Sequence, residues 1–225
     1  ILKEQVDLSA VPETLAYEER REAVYELLVS HAEATQADLR TGLQRWGINY
    51  KPFYLVNALE VDAGPLARLL LSAHPAVERV LDNPILRPLP QALPEAYQPG
   101  EPEKSTLWNL RMIKADHVWD ELNVRGAGII IGQSDSGVQG NHPELAEKYH
   151  GLNVGNDRNW FDPWFESKSP MDAGGHGTHT LGTILGDTVG VAPEATWIGC
   201  VNLARNLGNP GYYLSCMQFM LAPFP

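Results

Sequence analysis

Five prolines crowd into one short stretch of the chain, and they constrain its organisation more than any other feature. They lie between Arg87 and Ser105: Pro88, Pro90, Pro94, Pro99 and Pro102. Proline has a fixed φ and no backbone N–H, so a stretch this dense in proline excludes a regular helix or an inner strand. The sequence therefore predicts two folded units, residues 1–90 and 107–225, joined by an exposed linker at residues 91–106.

Charge and hydropathy argue against two classes of function. The chain has 225 residues with 17 basic and 28 acidic side chains, a net charge of −11. This is the wrong sign for a protein that binds nucleic acid by neutralising phosphates. No apolar run approaches the roughly 20 residues that a membrane-spanning helix needs. We therefore expect neither nucleic acid nor a membrane as a partner.

Hydrophobic periodicity in the first unit predicts a small α+β domain. In chain order the pattern predicts a helix at 24–46, a strand at 53–61, a helix at 65–71 and a strand at 77–81. Gly47 is a typical residue after a helix end, and Pro65 suits a first helical position. If residues 1–5 end an opening strand, the helices cover one face of a sheet.

Two apolar runs in the second unit predict a parallel sheet. They span 127–132 and 196–203, and a short helix is predicted before them at 115–122. Apolar runs without alternation are typical of strands that are covered on both faces. In an α/β sheet of this kind, ligands gather at the carboxyl ends of the strands. Asp135, just after the first run, is expected at such an end.

Two blocks of sequence carry the chemical signal. The first is Asp-Ser-Gly-Val at 135–138 with His-Pro-Glu-Leu at 142–145. The second is Gly-His-Gly-Thr-His-Thr at 175–180, and Gly-Val-Ala-Pro-Glu-Ala follows at 190–195. A lone Asp before Gly is often a turn former, and a lone His near a helix start is often a cap. Together, in this order, the blocks resemble those of subtilisin-like serine peptidases. The match looks closest to the bacillopeptidase F-like branch, as Trp-Ile-Gly-Cys at 197–200 also suggests.

The resemblance implies a fold and a mechanism. The fold is α/β: the N-terminal part of a three-layer subtilisin-like domain with a parallel sheet, preceded by a small ferredoxin-like α+β propeptide domain. The mechanism is peptide-bond hydrolysis by a Ser-His-Asp triad, with His176 as general base and Asp135 as the carboxylate that orients it. Supporting roles are expected nearby: close turns at Gly175 and Gly177, helix packing at Gly182 and Thr183, and a structural hydrogen bond from His179.

The nucleophile of such a triad is not recognisable in the sequence. The family places it in a Gly-Thr-Ser motif, and the serines at 134, 136, 169 and 215 lack that setting. We therefore expect an N-terminal fragment of a secreted endopeptidase precursor, inactive alone, whose propeptide inhibits the peptidase and whose substrates are proteins or peptides. The alternative is a non-catalytic homologue that serves as a binding scaffold.

Metal binding is the rival use of the same side chains. His176, His179 and Asp135 are residue types that zinc accepts, but metallopeptidase helices space two His four residues apart with a Glu between them. We therefore expect no metal site and no required cofactor. Calcium binding stays open as an alternative, since many family members bind calcium in a loop before the 190–195 block, but residues 180–189 are too short for that loop. Glu144, at a position that can ligate calcium in the family, is expected as a surface carboxylate.

Two further features leave alternatives open. The segment Asn-Trp-Phe-Asp-Pro-Trp-Phe at 159–165 is unusually aromatic, and a hydrophobic cluster beneath a loop is the favoured interpretation. The alternative is a wall of substrate subsites formed by Trp160 and Trp164. Cys200 and Cys216 lie among apolar neighbours, which favours buried free thiols over a disulfide.

Overall fold

The computed structural model describes residues 1–87, 107–205 and 207–223. The described chain divides into two compact units: Ile1–Pro84 together with Tyr213–Pro223, and the residues from Ile85 to Tyr212. The predicted linker at 91–106 lies outside the described residues. Among the helices of the described ranges, none combines the length and the apolar character needed to cross a membrane.

The long helix α1 (Tyr17–Arg45) dominates the first unit. Its buried side chains follow one another at steps of three or four residues, so they share one face: Leu28, Ala32, Gln36, Leu39 and Leu43. The periodicity that predicted the helix is confirmed. The helix begins before the predicted residue 24 because its first turns are polar, and apolar periodicity carries no signal there.

The predicted strand at 53–61 is wrong, because this segment forms part of a hairpin. Strands β1 (Tyr50–Phe53) and β2 (Ala58–Val61) pair antiparallel across a short turn. Apolar alternation looks the same in two short strands as in one long strand. Contacts with α1 fix the turn, since the buried amide of Gln36 donates to Asn57 Oδ1 at 2.8 Å.

The remainder of the first unit is less regular than predicted. Helix α2 (Pro65–Ser72) begins at its proline, which confirms the predicted helix. The predicted strand at 77–81 is wrong, because pairing there is confined to an isolated bridge between Leu2 and Val77. This bridge is also where the expected opening strand contacts the unit.

Three parallel strands form the sheet of the second unit. They are β3 (Ile130–Asp135), β4 (Trp160–Phe161) and β5 (Thr196–Val201), in the order β3-β5-β4. Asp135 pairs with Val201, so both strands end at the same edge. The predicted parallel sheet is confirmed, and together with its helices it gives the unit an α/β fold. The expectation of strands covered on both faces is wrong for β3, which lies at the edge of the described sheet and leaves Ile130 exposed.

Helices and two very short strands complete the described fold. In the second unit they are α3 (Trp108–Met112), α4 (Ala115–Leu122), α5 (His176–Leu185), β6 (Leu203–Ala204) and β7 (Leu207–Gly208). Most of helix α6 (Pro210–Leu221) belongs to the first unit. Helix α4 confirms the prediction at 115–122. The core of this unit centres on Trp197, which is fully buried and donates its indole N–H to the Leu145 carbonyl at 2.9 Å.

The expectation of free thiols is wrong. Cys200 and Cys216 are both disulfide-bonded, and neither cysteine of the chain is free. The signal that favoured thiols was burial among apolar neighbours, and both residues are indeed almost completely buried. Burial cannot distinguish the two states, because a half-cystine is as apolar as a thiol.

Candidate active site

Asp135 and His176, 41 positions apart in the sequence, meet at the carboxyl edge of the sheet. Asp135 is the last residue of β3, and His176 is the first residue of α5. Gly175, immediately before His176, has a φ of 78°, a conformation in which L side chains are rarely found. The chain can therefore turn sharply into α5 and present the imidazole to the strand end.

The contact between the two side chains is a hydrogen bond of 2.7 Å from His176 Nδ1 to Asp135 Oδ1. Oδ1 also accepts the N–H of Ser136 at 2.6 Å, which identifies it as an acceptor. The imidazole therefore donates from Nδ1, and its neutral form keeps a lone pair on Nε2. The Asp135 side chain is 15% exposed and the His176 side chain 57%, so the carboxylate is sheltered while the ring is open to an incoming group.

Gly177 lets the start of α5 lie directly against the end of β3. A Cβ at this position would lie 2.0 Å from the carbonyl oxygen of Gly137 and 3.1 Å from Asp135 Cβ. The first distance is shorter than real Cβ contacts and the second is tighter than most of them, so only glycine permits this approach. The expected turn at Gly175 is confirmed, whereas Gly177 lies within α5 and permits a close approach rather than a turn.

The other supporting roles predicted on α5 are wrong. A Cβ at Gly182 would have no neighbour within 4 Å, and Thr183 is exposed, so neither residue packs the helix against the sheet. Leu181 and Leu185 do so instead, and both are fully buried. His179 is exposed, and no hydrogen bond of its ring occurs within the described residues.

Thr180 supports the carboxylate from the next turn of α5. Its hydroxyl lies 3.2 Å from Asp135 Oδ2 and 3.1 Å from the Gly177 carbonyl, and it accepts a hydrogen bond of 2.6 Å from Gln133 Nε2. Gln133 donates to the hydroxyl oxygen of Thr180. The single hydroxyl proton of Thr180 is therefore available for donation to Asp135 or to the Gly177 carbonyl. Gln133 lies on β3, so this contact ties the helix to the strand a second time.

A second carboxylate, Asp172, stands before the helix and was missed by sequence reasoning. Its Oδ1 accepts from the backbone of Gly174 and Gly175 and from Ser136 Oγ, and its Oδ2 accepts the N–H and the hydroxyl of Thr178. The usual capping signal, an Asp or Ser directly before a helix, could not have identified it, because Gly175 occupies that position and Asp172 lies three residues earlier.

Two opposing effects act on the Asp172 carboxyl. Burial is the largest of them and by itself raises the pKa. Hydrogen bonds from Thr178, Gly175 and Ser136 together outweigh burial and hold the pKa of Asp172 below its ordinary value of 3.8. The side chain is therefore a carboxylate at neutral pH, which matches its role as an acceptor from five donors.

Trp160 and Trp164 lie in and against the core. Trp160 is 7% exposed, lies on β4, and packs its ring over Gly199. Trp164 is half-buried, with its ring centroid 4.4 Å from that of Tyr212. The favoured interpretation as a hydrophobic cluster agrees with this placement, although Trp160 belongs to the main core of the unit and not to a satellite beneath a loop.

Glu144 is occupied by protein donors. Its carboxylate accepts the backbone N–H of Thr188 at 2.6 Å and the Thr188 hydroxyl at 2.7 Å. Among the described residues there is no group of three or more His, Cys, Asp and Glu side chains arranged to hold a metal ion. Glu144 therefore serves to hold the loop that follows α5.

Residues 126–217, which include Asp135 and His176, match the model of the subtilase family. Bacillopeptidase F from Bacillus subtilis is 32% identical over 187 residues, which cover 76% of this chain and 13% of that protein. Fervidolysin from Fervidobacterium pennivorans is 36% identical over 43% of this chain and 14% of its own length. Thermitase from Thermoactinomyces vulgaris is 34% identical over 50% of this chain and 39% of its own length.

The chain thus spans only a small part of the length of these relatives. The match includes both the strand end with Asp135 and the helix start with His176. Residues 126–217 therefore belong to the subtilase family.

Proposed function

We propose that the protein is a serine endopeptidase of proteins and peptides, in which His176 is the general base and Asp135 fixes its orientation. The observation that carries this proposal is the 2.7 Å hydrogen bond between His176 Nδ1 and Asp135 Oδ1. A serine hydroxyl becomes a good nucleophile only when an imidazole accepts its proton. A carboxylate on Nδ1 fixes the tautomer that leaves Nε2 free to do so, and it stabilises the imidazolium that forms.

The nucleophile is the part of the triad that the described residues do not supply. No serine hydroxyl within them is hydrogen-bonded to His176. We propose that a serine in a Gly-Thr-Ser setting completes the site in a longer form of the protein, and that the 225-residue chain is inactive alone. No cofactor is needed for this chemistry, because the base, the orienting carboxylate and the nucleophile are all side chains.

The first unit has a separate role in this proposal. Residues 1–90 would act as a propeptide that assists folding and then inhibits the peptidase, and the parent would be exported. The support is the order of its elements, helix α1, hairpin β1–β2 and helix α2, together with names such as "Minor extracellular protease Vpr" among the relatives.

The test compares two forms of the protein with a fluorophosphonate probe, which reacts covalently with an activated serine. We expect no labelling of the 225-residue chain, and labelling of a longer product of the same gene that contains a Gly-Thr-Ser motif. In the longer form, Asp135→Asn should lower kcat for casein peptides on the order of 10⁴-fold, because the wrong tautomer is stabilised.

Three outcomes would contradict the proposal. Labelling of the 225-residue chain would show a nucleophile within it. A longer product that binds peptides without labelling or cleaving them would favour the non-catalytic scaffold. Equal kcat for the longer form and its Asp135→Asn variant would remove Asp135 from the mechanism.

A further inference from the structure

We propose that Asp172 is a positioning residue for the His176–Asp135 pair, and this inference rests on the proposed function. Asp172 does not touch the imidazole in any described hydrogen bond. It accepts five hydrogen bonds, at distances from 2.6 to 3.0 Å, from the residues that surround the pair. Gly177 is connected to these residues through its N–H, which donates to the Ser136 hydroxyl. We call the whole group the Asp172 network: Asp172, Ser136, Gly174, Gly175, Gly177 and Thr178.

The network connects the two elements that carry the pair. Ser136 follows Asp135 directly, and its hydroxyl donates to Asp172 Oδ1 at 2.9 Å. The same hydroxyl oxygen accepts the N–H of Gly177 at 2.9 Å, and Gly177 follows His176 directly. A single hydroxyl thus links the neighbour of the carboxylate, the neighbour of the imidazole and Asp172.

The helix side of the network holds the first turn of α5. Asp172 Oδ2 accepts both the N–H and the hydroxyl of Thr178, while Oδ1 accepts the N–H of Gly175. These groups flank His176 on both sides in the sequence. The backbone of Asp172 also pairs with Gly137 in an isolated antiparallel bridge, just after the end of β3. Movement of the helix start relative to the strand end would therefore break several of these contacts together.

The chemistry of the network requires a carboxylate. All five partner groups, which belong to four residues, are donors, and an ionised Asp is an acceptor at both oxygens. An Asn at this position would place its NH₂ group against the N–H and O–H donors on one side, and the hydrogen bonds on that side would be lost. Catalytic geometry is sensitive to displacements of about 1 Å, and we expect the hydrogen bond from Nδ1 to Asp135 to be lost in a large share of the molecules.

A helix cap without influence on the pair is the rival explanation, and the chain offers a matched control. Asp162 lies in the same unit, is 7% exposed, and likewise accepts backbone N–H and hydroxyl bonds. Its described partners are Trp164 and Ser167, which are not part of the Asp172 network. Asp162→Asn therefore removes a carboxylate of the same kind without touching the Asp135–His176 pair.

The experiment measures the tautomer of His176 by ¹H–¹⁵N NMR of the 225-residue chain labelled at the histidine rings, with His176→Gln as the assignment control. The parent chain should show the Nδ1–H tautomer with a low-field proton. Asp172→Asn should shift the tautomer ratio toward Nε2–H by roughly fivefold, the size expected from one hydrogen bond. Asp162→Asn should leave the ratio unchanged. Near-UV circular dichroism checks that each variant is folded.

The outcomes separate this inference from the proposed function. An unchanged tautomer ratio in folded Asp172→Asn, or an equal change in Asp162→Asn, overturns the positioning role. If Asp172→Asn does not fold, Ser136→Ala serves instead, since it removes the hydroxyl that links Asp172 to Gly177 while leaving the hydrogen bonds from Gly174, Gly175 and Thr178 to Asp172. The readout does not depend on peptide cleavage, so a longer form without peptidase activity would count against the proposed function only.

Discussion

Gly177 shows how a single missing methyl group can determine the geometry of the site. The backbone of α5 passes so close to the Gly137 carbonyl that any side chain at residue 177 would overlap with it. A side chain at Gly182, on the same helix, would meet no atom within 4 Å, so nothing in its surroundings requires glycine there. The two glycines look alike in the sequence, and only the neighbours in the fold distinguish them.

Substitution of these two glycines should therefore have opposite effects on the free energy of unfolding. Gly177→Ala should destabilise the second unit by about 3 kcal/mol, the upper end of typical overpacking costs, because backbone has to move. Gly182→Ala should stabilise it by about 0.5–1 kcal/mol, since alanine is the better helix former. Urea unfolding followed by tryptophan fluorescence measures both. If Gly177→Ala leaves the free energy of unfolding unchanged, the start of α5 can move away from the Gly137 carbonyl at no cost.

Helix α5 combines two roles, because one end carries His176 and the rest anchors it to the sheet. Leu181 and Leu185 are fully buried against the core that contains Trp197, whereas Ile184 is 37% exposed. The position of the imidazole thus depends on apolar packing further along the same helix. Loss of packing in α5 would therefore affect both the stability of the unit and the position of His176.

Removal of the buried anchor should cost much more than removal of the exposed neighbour. We expect Leu181→Ala to lower the free energy of unfolding by about 2–5 kcal/mol, through lost burial and the cavity that remains. Ile184→Ala changes a similar number of atoms, and we expect about 1 kcal/mol or less there because much of this side chain already contacts water. Comparable losses in the two variants would contradict the assigned orientation of the helix.

At the scale of the whole molecule, the acidic composition brings carboxylates into structural roles. Asp135, Glu144 and Asp172 each accept hydrogen bonds from backbone and hydroxyl groups at points where loops meet regular elements. These three carboxylates thus contribute to local order.

The loss of unfolding free energy at acidic pH should reveal the contribution of Asp172 to stability. Its pKa in the folded state is lowered below 3.8, so the unfolded state binds the proton more readily. Its contribution is therefore complete above the unfolded pKa, near 3.9, and is lost as the pH falls through the folded pKa. The difference in unfolding free energy between the parent and Asp172→Asn, from urea titrations, should be constant near pH 6 and shrink below about pH 4. A difference that does not vary with pH would contradict this assignment.

Short-range sequence patterns were enough to predict most of the helices and to mark Asp135 and His176. Helices α1, α2 and α4 follow from periodicity and from proline and glycine signals, because helical contacts lie within a few residues of one another. Asp135 and His176 were identifiable because the blocks that contain them resemble those of subtilisin-like serine peptidases. The aromatic segment was likewise predicted to cluster, since large apolar side chains seek burial.

Contacts between residues that are far apart in the sequence could not be predicted in this way. The hairpin at residues 50–61 depends on Gln36 of α1, and Asp172 acquires its role only where it meets Ser136, 36 positions away. Short-range patterns likewise did not predict which face of α5 packs against the core, or that both cysteines are disulfide-bonded. Such contacts depend on the register of strands and on the approach of helices across the fold, and local spacing carries no record of either.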